Sequence, residues 1–411
     1  MINFERFELS NGLRVLVHQD KSTPIVAFNL LYDVGARDED PNRTGFAHLF
    51  EHLMFGGSIH IADYDEVVEN AGGQNNAFTS NDITNYYITL PKENIEHAFR
   101  LESDRMLSLA FTPKSLEVQR QVVIEEFKQN YLNQPYGDIH LLLRPLSYKK
   151  HPYQWPTIGK EISHIEEASM EDVKSFFYKH YAPNNAILVV AGDVNIDQII
   201  SLSEKWFGPI PKRNTVKRNL PKEPRQNEAR TLKVKRDVPV DVIYKAYHMC
   251  SRVHEDFFAT DLISDILSRG NSSRLYKSLV KEQKLFSDID AFVGGELDES
   301  LFYFAGKLNP GVTMEDAEAG IQSEIDKLCE TLVQDNELQK VKNKAIAAHK
   351  FSELNVLNKA INLATSELIG DAHLANKQIE FYEAVTAHKI KSVAEEIFRV
   401  SNSNTLYYHA K

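Results

Sequence analysis

Two stretches of this chain carry one pattern at a fixed spacing. Ser169 opens a helical run through Val173, Phe177 and Tyr181, and Asn185 then precedes the strand-like Ile187-Leu188-Val189-Val190. Thr386 opens a matching run through Ile390, Ala394 and Phe398, and Asn402 precedes Asn404-Thr405-Leu406-Tyr407. Each matched pair lies 217 positions apart, as 386 − 169 and 402 − 185 both show, so no gap is needed. An internal duplication is the simplest account, and it requires each copy to be a unit with an apolar face to bury. Length agrees with this. A chain of 411 residues exceeds what one hydrophobic core holds, and two domains of about 200 residues fit. Between Trp206 and Arg230 the chain is rich in Pro, Lys, Arg and Asn and follows neither hydrophobic period, which is the composition of an exposed connection. The expected division is a first domain over 1–209, a linker over 210–230 and a second domain over 231–411.

Residues 5 to 34 read as two strands, with the turn signal Ser10-Asn11-Gly12 before Leu13–Val17 and then the apolar run Ile25–Tyr32. Helical patterns follow over 44–55, 63–71, 93–108 and 113–131, with a strand at 85–90 between the second and third. Helix that comes in runs, rather than alternating strictly with strand, predicts an α+β fold.

A net charge of −11 argues against general affinity for nucleic acid or anionic membrane. No apolar run reaches the roughly 18 residues that span a bilayer. The opening Met-Ile-Asn-Phe-Glu-Arg-Phe-Glu has neither a basic nor an apolar leader segment, so the expected location is cytoplasmic, or periplasmic where a signal peptide has been removed. Cys250 and Cys329 have no CxxC partner, so any metal must be held by His and carboxylate groups.

Such groups occur together once in a telling order. Thr44 to Gly57 reads as a short apolar helix stopped at Gly56-Gly57, and it contains His48-Leu49-Phe50-Glu51-His52. A spacing of four places both imidazoles on one helical face, one turn apart, within reach of a single zinc ion. Glu51 projects beside them, where a carboxylate that is not a ligand can take the proton of an attacking water. This is the inverted zinc-peptidase order. A catalytic site wants a third ligand and an open fourth position. Thr112-Pro113 looks like a helix cap followed by proline at the first helical position, and the helix runs on to Glu125 and Glu126. Both are candidates. Glu126 shares a helical face with Gln119, Val122 and Val123, whereas Glu125 has Gln121, Lys128 and Gln129 as neighbours, a mild preference for Glu126 because Val122 also borders Glu125. Glu125 is then either a solvated charge or a group supporting the ligands from outside.

With these motifs the chain resembles the pitrilysin, insulin-degrading enzyme and mitochondrial processing peptidase family of zinc metallopeptidases, over nearly its whole length. Besides the His-x-x-Glu-His helix, the resemblance rests on Gly72-Gly73-Gln-Asn-Asn76-Ala77-Phe78-Thr79-Ser80-Asn-Asp82-Ile-Thr84-Asn-Tyr86-Tyr87, on Gln119-Arg120-Gln-Val122-Val123-Ile-Glu-Glu126, and on Tyr181-Ala-Pro183-Asn184-Asn185 leading to Gly192-Asp193-Val194. In the family register the third ligand falls on Glu126, 74 positions after His52. The resemblance implies two homologous α/β-sandwich domains, each with an antiparallel-rich sheet packed by helices. It further implies one zinc ion per chain, peptide substrates, and pairing with a related zinc-less subunit or a second copy. The step Asn76-Ala77-Phe78 matches an edge strand that takes substrate as an added strand. Positions 48, 51 and 52 correspond in the second half to Asp261, Ser264 and Asp265, and Glu126 to Ala348, so that half lacks the chemistry. Two departures stand out. Family members often have a glutamate where Gln119 stands, and the Arg and Tyr that contact substrate from the later domain are matched by Val280, or Lys281 one position on, and by Ser287.

Overall fold

The Ser10-Asn11-Gly12 signal closes a hairpin between β1 (Glu5–Glu8) and β2 (Arg14–Gln19), with Gly12 at φ 89°, a left-handed conformation open to glycine. The expectation of two strands over 5–34 is therefore one short. Glu5-Arg6-Phe7-Glu8 is an exposed outer strand whose charged side chains carry little apolar period and protect an open sheet edge. This computed structural model describes residues 1–215 and 218–411, so residues 216 and 217 of the expected linker lie outside the described residues.

β3 (Ile25–Tyr32), β4 (Gln74–Thr79), β5 (Thr84–Pro91) and β6 (Ala186–Gly192) complete a six-stranded sheet in the order β1-β2-β6-β3-β5-β4. β6 is buried along its whole length and lies between β2, to which it is parallel, and β3, to which it is antiparallel. Its run of seven buried residues is what a central strand covered on both faces requires. Alternation along β3 then assigns the two faces. Ala27 and Leu31 pack with Leu16, Ile187 and Val189 against the helix Val356–Leu368, through Ala360, Leu363 and Ala364. Phe28 faces the other way and meets Phe99, of the helix Ile95–Leu107, edge-on at 4.9 Å.

The second sheet has the order β7-β11-β8-β10-β9, from β7 (Arg230–Arg236), β8 (Val242–Met249), β9 (Phe286–Val293), β10 (Ser300–Leu308) and β11 (Ser403–Ala410). One parallel pair, β7 with β11, is followed by antiparallel pairs. That is the scheme of β2-β6-β3-β5-β4, so both sheets are antiparallel-rich and built alike, as the α+β expectation required. The matched ends repeat in detail. Ser169 and Thr386 each cap an 11-residue helix, Met170–His180 and Ala387–Ile397. The Asn185 amide donates to the carbonyl of His180 at 2.9 Å, and the Asn402 amide to that of Ile397 at 2.7 Å. An asparagine in that place ties the end of the helix to the start of the strand, which is why both copies carry one.

Contacts divide the chain into two units, each drawn from three stretches: Met1–Gln129, Trp155–Leu220 and Lys350–Lys377 in the first, and Asn130–Gln154, Pro221–His349 and Gln378–Lys411 in the second. In the second, helices Phe257–Ser268, Met314–Glu330 and Ala387–Ile397 contribute to the core on one face of the sheet. The helix Ile139–Ser147 contributes to the core on the other, through Ile139 and Leu143 against Val242, Ala246 and Leu406.

Candidate metal centre

Gly45 sits at φ 90° and starts the helix Phe46–Leu53, which buries Phe46, Ala47, Leu49, Phe50 and Leu53. Burial of those five positions orients the remaining three, His48, Glu51 and His52, toward the open side. The two imidazole rings stand 4.8 Å apart at 84°. As expected, Thr112 caps the second helix by accepting the Ser115 N–H at 3.0 Å, with Pro113 at the first position. This helix is regular over Pro113–Phe127 and passes into a wider turn over Lys128–Leu132. It buries Leu116, Val123, Ile124 and Phe127, which places Glu126 on the side facing the histidines.

Glu126 Oε2 lies 3.7 Å from His48 Nε2 and 3.5 Å from His52 Nε2. One ligand atom from each of the three residues falls within 4.8 Å of the others, and this is the one such grouping of three His, Cys, Asp or Glu residues among the described residues. Two imidazoles and a carboxylate are a donor set that zinc accepts, with a position left over. Burial lowers the His48 pKa against the pull of Glu126 and Glu51, and the neutral ring is the form that can ligate.

Glu51 is fixed from a direction that sequence reading missed. Its Oε2 accepts a hydrogen bond of 2.6 Å from the Thr79 hydroxyl, and Thr79 is the last residue of β4, the outer strand that carries Asn76, Ala77 and Phe78. β4 pairs with β5 along one edge only. The Ala77 N–H donates to Asn76 Oδ1 at 2.8 Å. Thr79 stands two residues after Ala77, and the strand period, which puts both on one face, was the available signal. A second missed residue is Glu39, whose buried carboxyl group accepts the N–H groups of Gly45 and Ala47. Its signal was the lack of any capping side chain at Gly45.

Glu125 is not drawn toward the histidines. It is solvent-exposed and pairs with Lys128 at 2.7 Å. Gln119 lies half-buried two turns before Glu126, and Val122, on the Glu126 face, is 44% exposed. In the second unit Asp261 accepts the Tyr382 hydroxyl at 2.6 Å, Asp265 lies 3.3 Å from Arg269, and Ala348 is exposed. Val280 packs on that unit's core, Lys281 lies over the Tyr276 ring, and the Ser287 hydroxyl donates to the Lys307 carbonyl. No helix among the described residues is long and apolar enough to cross a membrane.

Comparison with known proteins adds to this geometry. A family profile described as "Insulinase (Peptidase family M16)" matches residues 14–158, and one described as "Peptidase M16 inactive domain" matches residues 167–345. The chain is 32% identical to the zinc protease PqqE of Helicobacter pylori, over 98% of this chain and 92% of that protein. It is 29% identical to the mitochondrial-processing peptidase subunit beta of Caenorhabditis elegans, over 49% of this chain and 44% of that one. Among solved structures, a protease from Helicobacter pylori superposes with a TM-score of 0.93 at 30% identity, covering 99% of this chain and all of the other.

Proposed function

Because the chain belongs to peptidase family M16, we propose that it is a zinc-dependent endopeptidase subunit, with His48, His52 and Glu126 as ligands and Glu51 as general base. The observation that carries this reading is the convergence of those three side chains within 4.8 Å, with Glu51 tethered beside them. Bound at that donor set, zinc supplies Lewis acidity, lowering the pKa of a water and polarising a carbonyl. The chain's own residues do the rest. Thr79 occupies Glu51 Oε2 and leaves Oε1 to take the proton of the attacking water and pass it to the leaving amine. The outer edge of β4 presents backbone groups to an extended peptide, which binds many sequences through main-chain hydrogen bonds. The Asn76 side chain, now on the Ala77 N–H, gives way to a substrate carbonyl, and Phe78, 37% exposed, offers an apolar contact.

Val280, Lys281 and Ser287 do not reproduce the family's Arg and Tyr, and a second copy would lack the pair as well, so a related zinc-less partner chain supplies it. A relative that is itself a peptidase subunit supports this. The test is Glu51→Gln. It keeps every ligand, so zinc stays stoichiometric while hydrolysis of a fluorogenic peptide library is abolished, with and without a candidate partner chain. Hydrolysis that survives the change sinks the mechanism.

A further inference from the structure

Behind the motif helix lies a buried acid that hydrolysis gives no task. Glu39 is 6% exposed. Its Oε1 accepts the Ala47 N–H at 2.8 Å, and its Oε2 accepts the Gly45 N–H at 2.9 Å and the Trp155 indole N–H at 3.1 Å. Trp155 is 1% exposed and shares its N–H with the Ala36 carbonyl at 3.1 Å. Burial pushes the Glu39 pKa up to about 8, and the three N–H donors work against that rise. Burial thus wins, the folded chain holds the group mainly as the neutral acid at pH 7, and its two oxygens still accept the three N–H groups.

Those donors need an acceptor for a local reason. The first N–H groups of a helix have no partner within it, and the residue before the helix normally supplies a side-chain oxygen. Here that residue is Gly45, at φ 90°. A Cβ at Gly45 would lie 2.6 Å from the Ile158 carbonyl oxygen, so no side chain fits and the cap must come from elsewhere. The helix has eight residues, and His48 is the third. A ligand in the first turn of so short a helix moves with that turn, and helix ends are where fraying begins.

We propose that Glu39 is a positioning residue for the metal centre: it pins the first turn of the motif helix and thereby holds His48 in register with His52 and Glu126. This rests on the zinc-binding reading of that site. It assigns to Glu39 the part played elsewhere by groups that orient metal ligands, whose loss weakens metal binding by about 10- to 100-fold.

The experiment measures zinc affinity of the full chain by competition with a chromophoric chelator, for the parent, Glu39→Gln and Glu39→Ala, together with amide exchange at Gly45 and Ala47 in the parent. The expected result is a loss of about 10- to 100-fold for Glu39→Ala and a smaller one for Glu39→Gln, which keeps one acceptor oxygen. Peptide hydrolysis loses kcat with KM unchanged, because β4 is untouched, and both parent amides are protected. Affinities within twofold of the parent in both variants overturn the inference, as do freely exchanging amides. A Glu39→Gln loss equal to that of Glu39→Ala also overturns it, since the effect would then not follow the N–H bonds. Where Glu39→Ala does not fold, Glu39→Gln and the parent amides decide. A parent that binds no zinc overturns the hydrolase reading as well, whereas variants that keep parental affinity overturn this inference alone.

Discussion

Thr79→Val isolates one hydrogen bond of the proposed machinery. Valine matches threonine in shape and favours a strand, so β4 keeps its pairing with β5 and the zinc ligands are untouched. What disappears is the 2.6 Å donor to Glu51 Oε2. A hydrogen bond to a charged group contributes about 1.5–3 kcal/mol, equivalent to roughly 10- to 150-fold in rate if all of it is felt in the transition state. Glu51 and Thr79 are only half-buried, so water can replace part of the lost bond, and the lower end applies. The expected outcome is a fall in kcat of about tenfold, with KM and bound zinc unchanged and most of the activity restored in Thr79→Ser. Steady-state hydrolysis of a fluorogenic peptide, with zinc measured on the same samples, reads all three. A kcat within twofold of the parent, or Thr79→Ser losing as much as Thr79→Val, would refute the idea that this hydroxyl orients the base.

Two further outcomes concern the metal and the buried histidines. Glu126→Ala leaves two imidazoles on the motif helix, so dialysed protein should carry sub-stoichiometric zinc. Calorimetry should then lose the zinc-dependent stabilisation of the parent, about 2.7 kcal/mol at a free zinc concentration of 100 times Kd. His140 and His180 are each held down to about 4 by burial, so they stay neutral in the folded chain while the unfolded chain protonates near 6.5. Stability from these two groups is therefore present above pH 6.5 and lost as pH falls toward 4, at about 1.4 kcal/mol per pH unit for each full proton of difference. Glu39, held up to about 8, runs the other way, its contribution being complete below pH 4.5 and lost as pH rises to 8. The readout is accordingly a difference. The melting temperature of His140→Phe should fall less than the parent's between pH 6.5 and pH 4.5, and equal falls in both would exclude His140 as a source of acid lability.

What could be read in the sequence was whatever depends on short separations. The strand over Ile25–Tyr32, the Thr112-Pro113 helix start and the turn at Gly12 follow from local period and backbone preference. The approach of His48 to His52 follows from helical spacing alone. The approach of Glu126 does not, because it depends on how one helix packs on another, and only the family register gave it firm support. Val122 shows the limit of helical patterning. It counts as apolar on any wheel, yet it is 44% exposed, because the face it shares with Glu126 borders the open side where the histidines lie and not the packed core. Thr79 and Glu39 reach the motif helix from 28 and at least 6 residues away, so the strand period and the uncapped Gly45 point to them without giving the contacts themselves. Composition marked the connection after Trp206, but nothing local marks Val356–Leu368 as a helix that packs on the first sheet.

The second unit bears on what the proposed metal would be for. It repeats the strand order of the first with Asp261, Ser264, Asp265 and Ala348 at the positions of His48, Glu51, His52 and Glu126. Those side chains are used for other ends: Asp261 receives the Tyr382 hydroxyl and Asp265 lies beside Arg269. A sheet of this topology thus forms around an apolar core through Ile243, Phe302 and Ile321 with no grouped metal ligands among its described residues. The matching face of the first unit is as well filled, with Phe28, Phe50, Phe99 and Phe177 all buried. Apolar burial of this extent specifies a fold without a metal, unlike in small domains whose structure depends on one. The proposed ligands sit on a scaffold built by apolar burial. What the proposed metal centre would ask of that scaffold is position, and two contacts in the first unit bear on it, Thr79 on Glu51 and Glu39 on the N–H groups of Gly45 and Ala47.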